Sequence, residues 1–413
     1  MAVDLTTKQA DRTVALRAAT AGHADAMVHF AQRLIQTPSL PGEEQDVATL
    51  AADEMRRIGY DDVWIDRAGS VIGVIRGTGG GPTVQFNSHI DHVSPGDHAL
   101  WSRPPFGGVI EGGILYGRAA SDVKGAMATQ VYLVPVLKES GFNPAGDVYV
   151  VGVVLEEVGG LGSAILAKEV PTDYAVLAEA TNNGLRRGHR GRTFVKVAFT
   201  GLSVHASAPE RAHNPHYASA RFLLALERMP MVTDPTFSGS SVAPTLTNTD
   251  QVSGNVTPGI VDLYLDWRNV PGESHEDIVA KLTPLANAAA AAVEGVSATV
   301  EVMGRPVTSY TGISETMPPT NGFETPADHP LVLGAQASLE ATLGRPVDVG
   351  TWTFATDGGH LSRHGITTIG FAPGEEHFAH TIHDQCDIAK MHEALLGNAA
   401  LALDLTILPK SVP

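Results

Sequence analysis

The runs "TVQFNSH", "GDVYVVGVVLEE" and "DYAVLAEA" are short and apolar, and stretches of helical pattern near 123–139 and 161–168 separate them. Strand-length apolar runs alternating with helices define an α/β domain with a largely parallel sheet, because parallel neighbours need a crossover and each strand is buried on both faces. The runs "DVWID" and "SVIGVIRG" add further strands. Two amphipathic helices are expected ahead of them, near 24–36 and 43–58, with Pro41, Glu43 and Glu44 fitting the start of the second. After Gly191 the texture changes. "RTFVKVAFTG", "GIVDLYLDWR" and "VSATVEVMG" read as strands, 214–229 and 274–294 as helices. That order suggests a small ferredoxin-like α+β sandwich inserted into the larger domain. From about 306 the chain returns with a helix near 329–343, the strand "GITTIGFAP" and a last helix near 387–405. A chain of 413 residues exceeds one ordinary core. The expected division is a larger domain built from 1–191 and 306–413, with a smaller one over 192–305.

Composition removes several classes of function. Lys plus Arg is 28 against 45 Asp plus Glu, a formal net charge of −17. This opposes general nucleic-acid binding and anionic membrane surfaces, both of which need excess positive charge. Cys386 stands alone, so no internal disulfide can form, which fits a reducing compartment. The first twenty residues carry charges throughout and no apolar core of a secretory signal. No apolar run approaches the length of a membrane span. The expectation is a cytoplasmic protein without membrane or nucleic-acid partners. "RGTGGGPT" does not fit G-x-G-x-x-G and precedes a strand, so it is not read as a nucleotide loop.

In open α/β sheets, ligands bind beyond the carboxyl ends of the strands. There "TVQFNS" delivers His89 and Asp91, "VYVVGVVL" delivers Glu156 and Glu157, and "YAVLA" delivers Glu179. His89 and Asp91 leave the same face of an extended segment, and a ligating imidazole commonly gives its other N–H to a carboxylate. His92 and His98 belong to the following loop and read as bystanders. Glu156 and Glu157, on an extended strand, would point in opposite directions, one to a metal and one to the substrate. A free carboxylate beside an acidified water can take its proton and pass it to a leaving nitrogen. Asp122, before a helix, is either an ordinary N-cap or a carboxylate bridging two cations. In "GEEHFAHTIHDQCD", His377, His380 and His383 are spaced by three and would share one face of a helix. The strand "TTIGF" precedes them and the last helix begins near Asp387, so the stretch reads as a loop.

With "SHIDHVSPGD", "LYGRAASDVKGAMA", "LEEVGGLGS", "LAEATNNGLRRGHRGR", "VHASAPERAHNP" and "HTIHD" in this order, the chain resembles the di-zinc metallopeptidase family of acetylornithine deacetylase, succinyl-diaminopimelate desuccinylase, aminoacylase and bacterial glutamate carboxypeptidase. The resemblance runs from about residue 24 to about 405. It implies His89, Asp122 and Glu179 on one metal, and Asp122, Glu157 and His380 on a second. It implies Glu156 as general base and acid, Asp91 behind His89, and a cis peptide after Asp122. The implied cofactors are two divalent ions, zinc foremost, with cobalt or manganese compatible with the same ligands. The inserted domain looks like the family's lid and dimerisation domain. There His205 would hold the oxyanion, while Asn255 and Arg268 would contact substrate. Arg186, Arg187, Arg190 and Arg192 read as a salt-bridged hinge.

Asp384 replaces the usual Glu four residues after the late histidine, "PERAHNPHY" is an uncommon run, and His360 is unusual in its segment. These departures touch the substrate pocket more than the ligands. The expected enzyme is a homodimeric di-metal hydrolase of an N-acyl amino acid or short peptide-like amide. Its rivals are hydrolysis of another C–N bond, in an amino-aromatic or carbamoyl compound, and a catalytically silent metal-binding scaffold.

Overall fold

The computed structural model describes residues 2–410. Among them, the main sheet has eight strands in the order Asp62–Ile65, Val71–Ile75, Val148–Val153, Val84–His89, Tyr174–Leu177, Thr367–Gly370, Leu185–Arg186 and Val349–Gly350. The central four run parallel, from Val148–Val153 across to Thr367–Gly370. Their alternation fills two layers. Phe86, Val150 and Val176 face the helices Ala2–Ile35, Gly125–Val131 and Ile388–Asp404. Leu177 and Ala175 face the helices Leu161–Glu169 and Gly358–Arg363 through Ala167 and Leu361. Burial on both sides explains why these strands read as unbroken apolar runs.

The smaller sheet is antiparallel, ordered Ser241–Thr249, Ile260–Arg268, Thr193–Thr200 and Ser297–Val302. Val195, Val197, Leu263, Leu265 and Trp267 pack against Phe222, Ile278 and Leu282 of the helices Pro215–Glu227 and His275–Ala291. The alternate residues, among them Phe194, Tyr264, Asp266 and Arg268, lie on the face without helices, where Phe194 stacks on Tyr264. The α/β fold with an inserted α+β unit is therefore as expected.

Several details differ from the expectation. The first helix begins at Ala2 rather than near 24. Gly22 lies within it without interrupting it, at the modest cost an interior glycine carries. The strand Ser241–Thr249 was not singled out in the sequence, being polar, exposed and interrupted by Pro244 at a register shift. It is an edge strand, where a missing N–H is tolerated. The 123–139 helix is broken into Gly125–Val131 and Leu133–Ser140, and the N-cap position of the first piece is Lys124, with Asp122 inside the preceding turn, so Asp122 is not an N-cap. Glu44 makes no capping bond either; its carboxyl is buried.

Candidate metal centre

The parallel strands deliver their acids and histidine to one place. His89 ends its strand, and Glu179 lies two residues beyond Leu177. Glu156 and Glu157 are not on an extended strand, contrary to expectation. The strand stops at Val153, Leu155 takes a positive φ of 61°, and the two glutamates form a turn closed by Gly160 N–H donating to Leu155 O at 2.7 Å. Both therefore face the same cavity, of about 780 Å³. Gly160, at φ 72°, is obligatory here: a Cβ would lie 2.4 Å from Asp357 and 2.5 Å from the His360 ring.

Asp91 organises this turn. Its two carboxylate oxygens accept the backbone N–H groups of Glu156 and Glu157 at 3.2 and 3.1 Å. His89 Nδ1 lies 3.0 Å from the Asp91 carbonyl and 3.5 Å from its carboxylate. With Nδ1 protonated toward Asp91, Nε2 keeps a lone pair for a cation. Glu44 and Lys124 are buried nearby. Burial and the Asp91 charge push the Glu44 carboxyl up to about 7. Burial pushes Lys124 down to about 7, and its Nζ donates to Thr37 O at 2.7 Å.

Asp122 lies between two imidazoles. Its Oδ1 is 3.0 Å from His89 Nε2 and its Oδ2 is 3.0 Å from His380 Nε2. His380 Nε2 is also 3.1 Å from Glu157 Oε1, and His89 Nε2 is 3.9 Å from Glu179 Oε1. The Asp122–Val123 peptide is cis. His377 and His383 do not join this group: His377 is exposed beside Glu375, and His383 lines a separate cavity of about 210 Å³. The stretch around them is irregular, with the last helix capped by Asp387 and starting at Ile388.

Asp384 joins the late loop to the turn carrying Asp122. Its carboxylate accepts N–H groups from Ala119 at 2.7 Å and Ser121 at 2.9 Å, and pairs with Arg118 at 3.1 Å. Ser121 Oγ in turn donates to Glu375 O and accepts from Glu375 N.

The electrostatics fit two cations. Burial would lower the His89 pKa, but hydrogen bonds to Asp122 and Asp91 outweigh it and raise it well above the ordinary range. Hydrogen bonds to Asp122 and Glu157 raise His380 to about 10. Burial would raise Asp122, yet His380 and His89 hold it far below the usual carboxylate range. Burial and the neighbouring acids raise Glu156 and Glu179, the first most through Glu179 and Asp357. Crowded carboxylates that draw positive charge onto two imidazoles make a site for positive ions. The donor atoms of His89, Asp122 and Glu157 lie within 4.8 Å of one another, as do those of His89, Glu156 and Glu179.

The lid residues divide. Arg268 lines the cavity. His205 and Asn255 do not; they lie together in an exposed part of the small domain, where Ala206 N–H donates to Asn255 O and His205 bridges Val256. Arg186 and Arg187 pair with Asp348 and Glu324, and Arg190 donates to the Gly239 carbonyl. Arg192 instead reaches the cavity, held by Asp266 at 2.9 Å. Arg305 and Asp357, not singled out in the sequence, also line it. His360 is buried behind Asp357, with Nε2 unpartnered among the described residues.

Residues 85–403 match the model of Peptidase family M20/M25/M40, and the chain belongs to this family. It is a metal-dependent hydrolase. It is 30% identical over 374 residues to the Escherichia coli protein YgeY, covering 87% of this chain and 89% of that one. It is 28% identical over 270 residues to succinyl-diaminopimelate desuccinylase of Halorhodospira halophila, covering 61% and 70%. The fold matches aminopeptidase PepT from Bacillus cereus with TM-score 0.74 at 20% identity, over 92% of this chain and 98% of that one. It also matches Bacillus subtilis YxeP, a dinuclear metal-binding peptidase, with TM-score 0.71 at 14% identity, over 94% and 99%. No helix among the described residues is long and apolar enough to cross a membrane.

Proposed function

We propose that the chain is a cytoplasmic, homodimeric di-metal hydrolase that cleaves the amide bond of an N-acyl amino acid or short peptide-like substrate. The observation that carries this reading is Asp122, each of whose oxygens stands 3.0 Å from a different imidazole, with Glu156 beside them in the same cavity. His89, Asp122 and Glu179 would hold one cation, and Asp122, Glu157 and His380 the other. Zinc suits this mixture of imidazole and carboxylate, and cobalt or manganese would be held by the same atoms. The two ions would supply Lewis-acid polarisation of the amide carbonyl and a water acidic enough to attack near neutral pH.

Glu156 makes no side-chain hydrogen bond among the described residues, which leaves its carboxylate to take the water's proton and return it to the leaving nitrogen. Asp91 fixes the Glu156 backbone, so the base is positioned from behind rather than by its own carboxylate. Arg268 receives the substrate carboxylate, and Asn255, which lies beside His205 outside this cavity, contacts substrate from a partner subunit. His205, exposed on the 192–305 lid, stabilises the oxyanion from a partner subunit. The dimer reading is supported by Ser241–Thr249, a nine-residue edge strand exposed almost throughout, with Leu246 56% exposed. The lid's own hydrophobic core, separate from that of the 1–191 and 306–413 unit, supports the domain division.

The test is Glu156→Gln. Metal content and unfolding profile should match the wild type, while turnover of N-acetyl, N-succinyl and N-carbamoyl amino acids and dipeptides falls about 100-fold or more. Retention of most activity across that panel would remove Glu156 from the mechanism.

A further inference from the structure

Besides the candidate metal-binding acids, the cavity is lined by three arginines. It is formed partly by the helix-free face of the small sheet and carries Arg192, Arg268 and Arg305. One acid serves two of them. Asp266 Oδ2 accepts from Arg192 Nε at 2.9 Å, and Oδ1 from Arg268 Nε at 2.8 Å. Both contacts use Nε, so among the described residues the outer Nη edges of both guanidinium groups have no partner. The arrangement orients two forks with their carboxylate-binding edges free. Arg305 has no acidic partner among the described residues and is exposed. Glu376, an acid also lining the cavity, accepts from Thr353 Oγ1 at 2.9 Å and pairs with none of the three. Of the three guanidinium groups lining the cavity, two share the Asp266 carboxylate and Arg305 has no acidic partner among the described residues, whereas the amide substrate proposed above brings a single carboxylate for Arg268.

We infer that the substrate carries a second anionic group, received by Arg192 and Arg305, so that the enzyme selects dianionic amides such as N-acyl acidic amino acids or dicarboxylic monoamides. This rests on the amide-hydrolase reading and adds the charge class of its substrate. Of three guanidinium charges against the one Asp266 carboxylate, a neutral amide of the same length leaves two uncompensated and a monoanionic one leaves one.

Binding separates this inference from the question of turnover. Calorimetric titration of the metal-loaded protein would compare glutarate with glutaramate, which has the same length and one charge fewer. Glutarate should bind about tenfold tighter to the wild type, or about 1.4 kcal/mol. The advantage should fall to about threefold or less in the Arg192→Ala/Arg305→Ala double variant, whose metal content reports that the site is intact. Equal binding by the wild type overturns the inference. So does an advantage that survives in the double variant, which would assign the second carboxylate to the metal ions. In parallel, kcat/KM for N-acetyl-L-glutamate should exceed that for N-acetyl-L-glutamine in the wild type, with the ratio reduced in the variant. If no amide in any panel is cleaved but the glutarate preference behaves as stated, the hydrolytic assignment fails and the anion assignment stands.

Discussion

His92 should make the catalytic domain acid-labile by a definite amount. It is 1% exposed, packs against Phe106, and makes both of its ring hydrogen bonds as a neutral imidazole. Nε2 accepts the Ser39 N–H at 2.9 Å, and Nδ1 donates to Val93 O at 2.9 Å. Protonation would turn the Nε2 acceptor into a donor facing another donor. Burial, followed by the charge of Lys124, accordingly pushes His92 down to about 4. The unfolded chain would titrate near the ordinary value of about 6.5. Between those values the unfolded state binds more protons, so stability present above pH ~6.5 is lost as pH falls toward ~4. Linkage between these two pKa values gives a loss of about 2 kcal/mol from pH ~7.5 to pH ~5 for this one side chain. Other acid-sensitive groups contribute as well, so the informative quantity is a difference. In His92→Gln the amide oxygen can accept from Ser39 N–H and cannot gain a proton in this range. Urea unfolding followed by tryptophan fluorescence, at the two pH values and with equal metal loading, should show the variant losing about 2 kcal/mol less than the wild type. A lower stability of the variant at the upper pH does not affect this result, because only the difference between the two pH values is read. Parallel pH profiles for the two proteins would refute the argument, because they would mean that the imidazole is not held neutral in the folded state.

His380→Ala should reduce bound metal from two ions per chain to one, read by elemental analysis after gel filtration, while His383→Ala keeps both. Asp384→Ala removes the shared acceptor of Ala119 N, Ser121 N and Arg118 and should weaken metal binding about 10- to 100-fold, measured by chelator competition, with Asp384→Asn falling between. Glu54 is buried and accepts from Tyr132 OH at 2.7 Å and Arg57 at 2.6 Å. Burial pushes its carboxyl up, but those hydrogen bonds prevail and hold it below the usual range, so its stabilisation fades as pH falls through that lowered value. Glu54→Ala should therefore cost about 2 kcal/mol at neutral pH, read by urea unfolding, and less in acid.

The candidate ligands that came from strand ends were legible because a buried parallel strand can end in only one region, the carboxyl edge of its sheet. His89, Asp91, Glu156, Glu157 and Glu179 follow from that rule alone. His380 does not: it sits on an irregular loop at φ 60°, and three-residue spacing could not distinguish it from His377 or His383. The family resemblance singled it out, and the structure supplies a physical counterpart in Asp384, which ties that loop to the Asp122 turn. The direction of Glu156 and Glu157 was misread because nothing in "VVLEEVGG" announces a positive φ at Leu155 before the paired glycines. The cavity's cations were harder still. Arg192 sits among hinge arginines in the sequence and resembles them. Only the antiparallel pairing of Thr193–Thr200 with Ile260–Arg268 brings it to Asp266 and so beside Arg268. Strand termini thus reveal chemistry to a reader of sequence, whereas specificity depends on which distant side chains share a counter-ion. The residues proposed to activate an amide lie at the ends of the sheet's strands and on the turns and loop gathered there, and those that would choose among amides lie on the inserted domain and the segment leaving it. On this reading, changes of substrate would accumulate at Arg192, Arg268 and Arg305 without disturbing the strands that carry the candidate metal-binding side chains.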